Sequence, residues 1–215
     1  VNVRCVRNAA GVDLWLYDEI GPWGVTASDV AAALGGLAPT DRVTLRINSP
    51  GGDVFDGLAI YNLLRGHPGG VDVVVDGLAA SAASFIAMAG STVTMLAHTR
   101  MMIHDAIGFA YGNAADMRQL ADLLDDVSDN IAGIYSDRSG TPVADFRALM
   151  LAETWLSGDQ ALELGLIDTA EAAAADDPAE GEDDPEAEPA QGDPEADPEG
   201  DGEDFVDRWE RSFAA

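Results

Sequence analysis

Lysine is absent from this chain: its 11 basic residues are all arginine, set against 39 acidic ones. That absence excludes a lysine-bearing phosphate loop, a Schiff-base enzyme and a Ser–Lys dyad together. Cysteine is nearly absent as well. Cys5 stands alone, which leaves neither a disulfide framework nor a cysteine-built metal site. The three histidines, His67, His98 and His104, do not follow a zinc-ligand spacing, so no metal and no cofactor are expected. A run of about 18 apolar residues, the length that spans a bilayer, is also missing. Residues 1–16 include Asp13 and lack the apolar core of a signal peptide. The expectation is a soluble, cytoplasmic protein without a membrane partner. Its formal net charge of −28 argues against nucleic acid as a partner.

What is present is enough for one sizeable core. The 215 residues are 47% hydrophobic, and residues 1–170 alternate strand-like with helix-like stretches. Strands are expected at Val12–Tyr17, Val43–Ile47, Val71–Val75, Thr92–Leu96 and Met101–Ile103. Val71–Val75 reads as buried on both faces and breaking at Gly77. A helix can begin at Ser28. Further helices are expected over Val54–Arg65, where apolar residues recur at helical spacing, and over Ala82–Ala89, Ala114–Asp137 and Val143–Leu151. Repeated β-α units imply an α/β fold with helices flanking the sheet.

Beyond residue 170 the composition changes. Residues 171–215 hold 18 acids and 2 arginines, and Asp-Pro-Glu-Ala occurs at both 184–187 and 193–196. Residues 171–204 bury too little apolar surface to offset ordering entropy and are expected to be disordered. Residues 205–215 regain apolar positions at Phe205, Val206, Trp209 and Phe213. They read as a short amphipathic segment, either a docking peptide or a frayed terminus.

Three stretches of residues 1–170 carry chemistry. Ser81 sits where a strand gives way to small residues and a helix. A hydroxyl at such a turn is either a helix N-cap or a nucleophile beside N–H groups that favour developing negative charge. With lysine absent, the base for such a nucleophile must be one of the three histidines. His67 and His98 lie in loop-like contexts, whereas His104 ends the apolar strand Met101-Met-Ile-His104 and precedes a flexible Gly108–Gly112 loop. Ser49-Pro-Gly-Gly-Asp53 follows a strand and precedes a helix, so its glycines can bring backbone N–H groups to a ligand.

Taken together, Ile47-Asn-Ser-Pro-Gly-Gly52, Gly77-Leu-Ala-Ala-Ser81, Met102-Ile-His104 and Leu156-Ser-Gly-Asp-Gln-Ala-Leu-Glu-Leu-Gly-Leu-Ile-Asp168 resemble the Clp protease proteolytic subunit family in order and spacing. The resemblance covers about residues 12–170. Gly24-Val-Thr-Ala27, Asp53-Val-Phe-Asp-Gly-Leu-Ala-Ile-Tyr61 and Glu153-Thr-Trp-Leu-Ser157 are similar to the ClpP-like head maturation (prohead) proteases of tailed phages. It implies a serine endopeptidase with Ser81 as nucleophile, His104 as base and an oxyanion hole from the N–H groups of Gly52 and Ala82. The family commonly has aspartate as third triad member; the matching position here is Glu153, with Asp105 and Asp168 as the other candidate acids. Ser84, one helical turn beyond Ser81, is read as packing beneath the turn.

The resemblance also implies a ClpP/crotonase-like fold of repeated β-β-α units in which the helix over 114–137 projects as a handle. It further implies ring-forming self-association and polypeptide substrates, among them capsid or scaffold proteins, in the host cytoplasm or an assembling phage head. The apolar stripe of that helix independently asks for a covering surface. Two other functions fit parts of the pattern. One is a non-catalytic capsid assembly or scaffold protein. The other is a crotonase-fold acyl-CoA enzyme, disfavoured because such enzymes generally work without a Ser–His pair.

Overall fold

Apolar residues at every second position give the central strands one sealed side. In the computed structural model, which describes residues 3–8 and 11–172, β1 (Arg4–Asn8) pairs antiparallel with β2 (Gly11–Leu16). Then come α1 (Ala27–Gly35), β3 (Val43–Ser49), α2 (Val54–Arg65), β4 (Val71–Ala80), α3 (Ala82–Ala87) and β5 (Thr92–Met95). The order continues with β6 (Arg100–Ile103), α4 (Ala114–Ser139), α5 (Val143–Leu151), β7 (Thr154–Leu156), α6 (Gly158–Glu163) and β8 (Thr169–Ala170). All belong to the unit Val1–Ala175. The expectations for the acidic segment and the terminal apolar face fall on residues 173–215, outside the described ones.

The strands pair in the order β1-β2-β3-β4-β5-β8, parallel from β2 to β8, while β6 pairs with β4 and with β7. Val12, Leu14, Leu16, Leu45, Ile47, Val73, Val75, Val93 and Met95 form the sealed side. The alternate positions Asp13, Trp15, Thr44, Arg46, Asp72, Val74 and Asp76 are only half-buried. Val71–Val75 is therefore buried on one face, not two. The reason lies in Asp72 and Asp76, whose carboxylates are taken by Arg42 (2.5 Å) and Arg46, with the Tyr17 hydroxyl also donating to Asp76. The Arg42 guanidinium holds the Asp72 carboxyl below the usual carboxylate range.

Several boundaries differ from the sequence expectation, two of them for a clear local reason. β4 does not break at Gly77 but runs to Ala80. Its middle pairs with β5, and Leu78–Ala80 then pairs with β6. Glycine suits the changeover because a β-carbon there would lie 2.5 Å from Asn48 Oδ1, displacing the side chain that accepts the Leu78 N–H. α1 starts at Ala27 rather than Ser28, because Thr26 and Asp29 form a reciprocal capping box. α3 ends at Ala87, two residues early. β1 was not expected at all.

α4 is the longest element, 26 residues between an Asn113 cap and the left-handed Gly140. Its N-terminal half is largely exposed, while Val127, Ile131, Ile134 and Tyr135 enter the core. The expected helix of 114–137 is thus present, standing clear at one end and rooted at the other. Among the described residues no helix is long and apolar enough to cross a membrane.

Candidate active site

Two adjacent parallel strands deliver Ser81 and His104 to one place. The end of β4 pairs with β6 in the register Ala79↔Met101 and Ala80↔Met102, and the Ser81 N–H donates to the Met102 carbonyl at 2.9 Å. Residues just past the carboxyl ends of parallel strands converge, as ligand sites in α/β folds commonly do. Ser81 Oγ lies 2.7 Å from His104 Nε2. Ser81 has φ 52° and ψ −123°, a sparsely populated conformation for a side-chain-bearing residue. It occupies the N-cap position of α3, yet its hydroxyl makes no cap hydrogen bond. The cap reading fails; the hydroxyl faces an imidazole instead.

The strained turn is braced from below. Ser84 is buried, and its hydroxyl donates to the Ser81 carbonyl while standing 2.7 Å from the Tyr135 hydroxyl. A serine hydroxyl has one proton, so Tyr135 is the donor to Ser84. Burial pushes the Tyr135 hydroxyl above its ordinary range, which keeps it protonated. Ser84 thus packs beneath the turn, as expected, with its hydroxyl taken by the Ser81 carbonyl and Tyr135.

Gly52 comes to the site from β3. The fully buried Ser49 ties this turn down by donating to the Asp18 carbonyl and accepting the Gly51 N–H. Ile20 N–H then donates to the Gly51 carbonyl and Asp53 N–H to the Ile20 carbonyl, both at 2.7 Å. That bridge uses the groups on either side of Gly52 and turns its own N–H the other way. Ala82 N–H begins α3 and lacks an intrahelical partner by geometry. Among the described residues, neither N–H has an acceptor. Both residues line the cleft that holds Ser81 and His104.

That cleft, of about 290 Å³, is walled largely by apolar groups: Phe85 from α3 and Leu120, Leu124, Val127, Ile131 and Tyr135 from α4. The α4 stripe seemed, from sequence, to need a partner surface. Much of it instead faces the chain's own cleft and core. Periodicity reveals such a stripe but does not say what covers it, and so this lining was missed.

The candidate acids behave differently from one another. Asp105 is paired with Arg147 at 2.6 Å, and Asp168 is held by Arg138 and the Val93 N–H. Glu153 is exposed, with φ 48°, and accepts a long 3.4 Å hydrogen bond from the Trp155 indole. It does not bond His104, whose other ring nitrogen has no partner among the described residues. Yet β6 and β7 pair as Met101↔Leu156, Met102↔Trp155 and Ile103↔Thr154. The ladder ends there, with His104 just after its last β6 residue and Glu153 just before its first β7 residue. The other histidines lie elsewhere: His67 donates to the Asp41 carbonyl, and His98 sits in the turn between β5 and β6. No cluster of potential metal ligands occurs among the described residues.

The sequence pattern of the Clp proteases matches residues 18–172, a stretch that includes both glycines of the turn, Ser81, His104 and Glu153. The chain belongs to the Clp protease family. Over 132 residues it is 37% identical to ATP-dependent Clp protease proteolytic subunit 1 of Prochlorococcus marinus (strain NATL2A), covering 60% of this chain and 67% of that one. It is 39% identical over 137 residues to proteolytic subunit 2 of Thermobifida fusca (strain YX), covering 61% and 68% respectively. A Clp protease proteolytic subunit of Bacteroides fragilis (strain YCH46) is 34% identical over 137 residues, covering 63% and 62%. The Clp protease fold expected from the motifs, ClpP/crotonase-like with a long α4, is the observed one.

Proposed function

We propose that this chain is a serine endopeptidase in which Ser81 is the nucleophile and His104 the general base. The observation that carries this reading is the 2.7 Å contact between Ser81 Oγ and His104 Nε2 inside a cleft. In acylation Ser81 Oγ bonds to the scissile carbonyl carbon while its proton passes to His104 Nε2. The carbonyl oxygen becomes an oxyanion, which the N–H groups of Gly52 and Ala82 stabilise. His104 then returns the proton to the leaving amine as the C–N bond breaks. Water repeats the sequence on the acyl-enzyme, with His104 again taking a proton. An apolar cleft wall from Phe85, Leu120 and Leu124 favours an apolar side chain beside the scissile bond.

Glu153 is the third member in this reading. Its place immediately before β7, whose Thr154 pairs with the Ile103 that precedes His104, supports it, and so does the engagement of Asp105 and Asp168 by arginines. For His104 Nε2 to act as base, Nδ1 must carry the proton, and a carboxylate turned inward from position 153 would accept it. Glu153→Ala is expected to lower kcat for a fluorogenic peptide by about 10⁴-fold, the size of loss when a triad acid is removed. A wild-type kcat in that variant removes Glu153 from the triad.

The finer reading concerns partners. We take residues 1–170 as the protease domain, 171–204 as an acidic Pro/Ala/Gly-rich segment and 205–215 as a short amphipathic segment. The likeness of Gly24–Ala27, Asp53–Tyr61 and Glu153–Ser157 to phage prohead proteases supports capsid or scaffold proteins as substrates. Relatives called proteolytic subunits support self-association into rings. Co-expression with a major capsid protein tests the substrate class: cleavage by wild type but not by Ser81→Ala is expected. An intact capsid protein in both, alongside peptide hydrolysis, would confine the function to general proteolysis.

A further inference from the structure

Arg147 joins three elements at the back of the site. Its guanidinium reaches Asp105 at 2.6 Å, Asp129 at 2.9 Å and Asp125 at 3.3 Å. Asp125 and Asp129 lie on α4 and are largely exposed, so water screens them. Asp105 differs: it immediately follows His104, lines the cleft, and its side chain is only 26% exposed, against 23% for Arg147. That pair is desolvated enough to hold a geometry, and a planar guanidinium fixes its direction.

The backbone one turn further along α5 grips the same residue. The Met150 carbonyl accepts the Asp105 N–H at 3.2 Å and also the Glu153 N–H at 3.0 Å. One carbonyl oxygen thus joins the segment carrying His104 to the segment carrying Glu153. Arg147 lies three residues before Met150 on α5. Asp105 is therefore held twice from α5, by its side chain at Arg147 and by its backbone at Met150. Thr154 adds a third fastening by donating to the Leu149 carbonyl at 2.6 Å.

We infer that Arg147 is a positioning residue: by holding Asp105 against α5 it sets where His104 stands between Ser81 and Glu153. The inference rests on the protease reading above. Its consequence is particular to the chemical step. Without Arg147 the end of β6 keeps its strand pairing but loses the side-chain anchor beside His104, and the 2.7 Å contact with Ser81 loosens. Small displacements of a reacting group slow chemistry far more than they weaken substrate binding.

The test compares Arg147→Met, Arg147→Lys and Asp105→Asn with wild type. It measures kcat and KM on a fluorogenic peptide, fluorophosphonate labelling rate and thermal unfolding. Arg147→Met is expected to lower kcat and labelling at least tenfold with KM within twofold. Arg147→Lys, which keeps the charge but not the planar guanidinium, is expected to recover only part of the loss. Asp105→Asn keeps the backbone bond to Met150 and serves if Arg147→Met fails to fold; it is expected to lower kcat in the same way. Asp125→Asn with Asp129→Asn is expected to stay within twofold of wild type. A folded Arg147→Met at wild-type kcat overturns the inference. So does an equal loss in Arg147→Met and Arg147→Lys that tracks their unfolding temperatures. Wild type that neither labels nor hydrolyses overturns the protease reading and this inference with it.

Discussion

Replacing His104 by alanine lowers kcat/KM for a fluorogenic peptide by about 10⁴- to 10⁶-fold, the range that loss of a general base costs in Ser–His hydrolases. Among the described residues no other base contacts Ser81 Oγ. Lysine is absent, His67 is bonded to the Asp41 carbonyl, and Asp105 is committed to Arg147. Ser81 Oγ would keep its strained presentation but lose the atom 2.7 Å away that accepts its proton. The fold should survive, because His104 lies past the end of β6 and is only half-buried. Unchanged circular dichroism with hydrolysis at background is therefore the expected pair of results. Activity within tenfold of wild type would mean that another group is the base.

Gly52→Ala has a large effect of its own, for a steric and an electrostatic reason together. A β-carbon at this position would lie 2.0 Å from the Ile20 carbonyl oxygen, and the residue has φ 142°. The neighbour is backbone held by the bridge on both sides of Gly52, so it has little room to withdraw. The turn must shift, and the Gly52 N–H shifts with it. Loss of one oxyanion donor costs about 10²- to 10³-fold in kcat, or roughly 2.7–4 kcal/mol. Stopped assays at saturating peptide should show kcat falling by at least that factor while KM changes little, with a lowered unfolding temperature from the crowded turn. A variant with unaltered kcat would exclude the Gly52 N–H from the oxyanion hole.

Legibility in the sequence followed the range of the interaction. Val43–Ile47 and Val54–Arg65 declare themselves through their own residues, and β3 and α2 lie there. β1 has no such pattern. Its five residues are all exposed, and it exists by pairing with β2 and by Arg4 lying over the Trp15 ring at 4.6 Å. Gly77 gave a correct local signal with the wrong consequence: the missing side chain marks a close approach of Asn48, not a strand end.

The site divides in the same way. Ser81, His104 and Gly52 sit in short motifs whose order is readable, and the structure gathers them around one cleft. Glu153 is readable only by its place in the motif, since no contact in the structure ties it to His104. Arg147 and Tyr135 carry no motif. Their partners are 42 residues away at Asp105 and 51 residues away at Ser84, distances over which periodicity says nothing. Direct contact of Ser81 with an imidazole also favours a peptidase over the acyl-CoA reading of the same architecture.

The most direct test of the central claim is a fluorophosphonate probe followed by peptide mass spectrometry at neutral pH. Wild-type chain should carry a single adduct on Ser81, formed by displacement of fluoride, while Ser81→Ala and His104→Ala remain unlabelled. A folded wild-type chain that stays unlabelled, or an adduct on Ser84 in place of Ser81, would contradict the account.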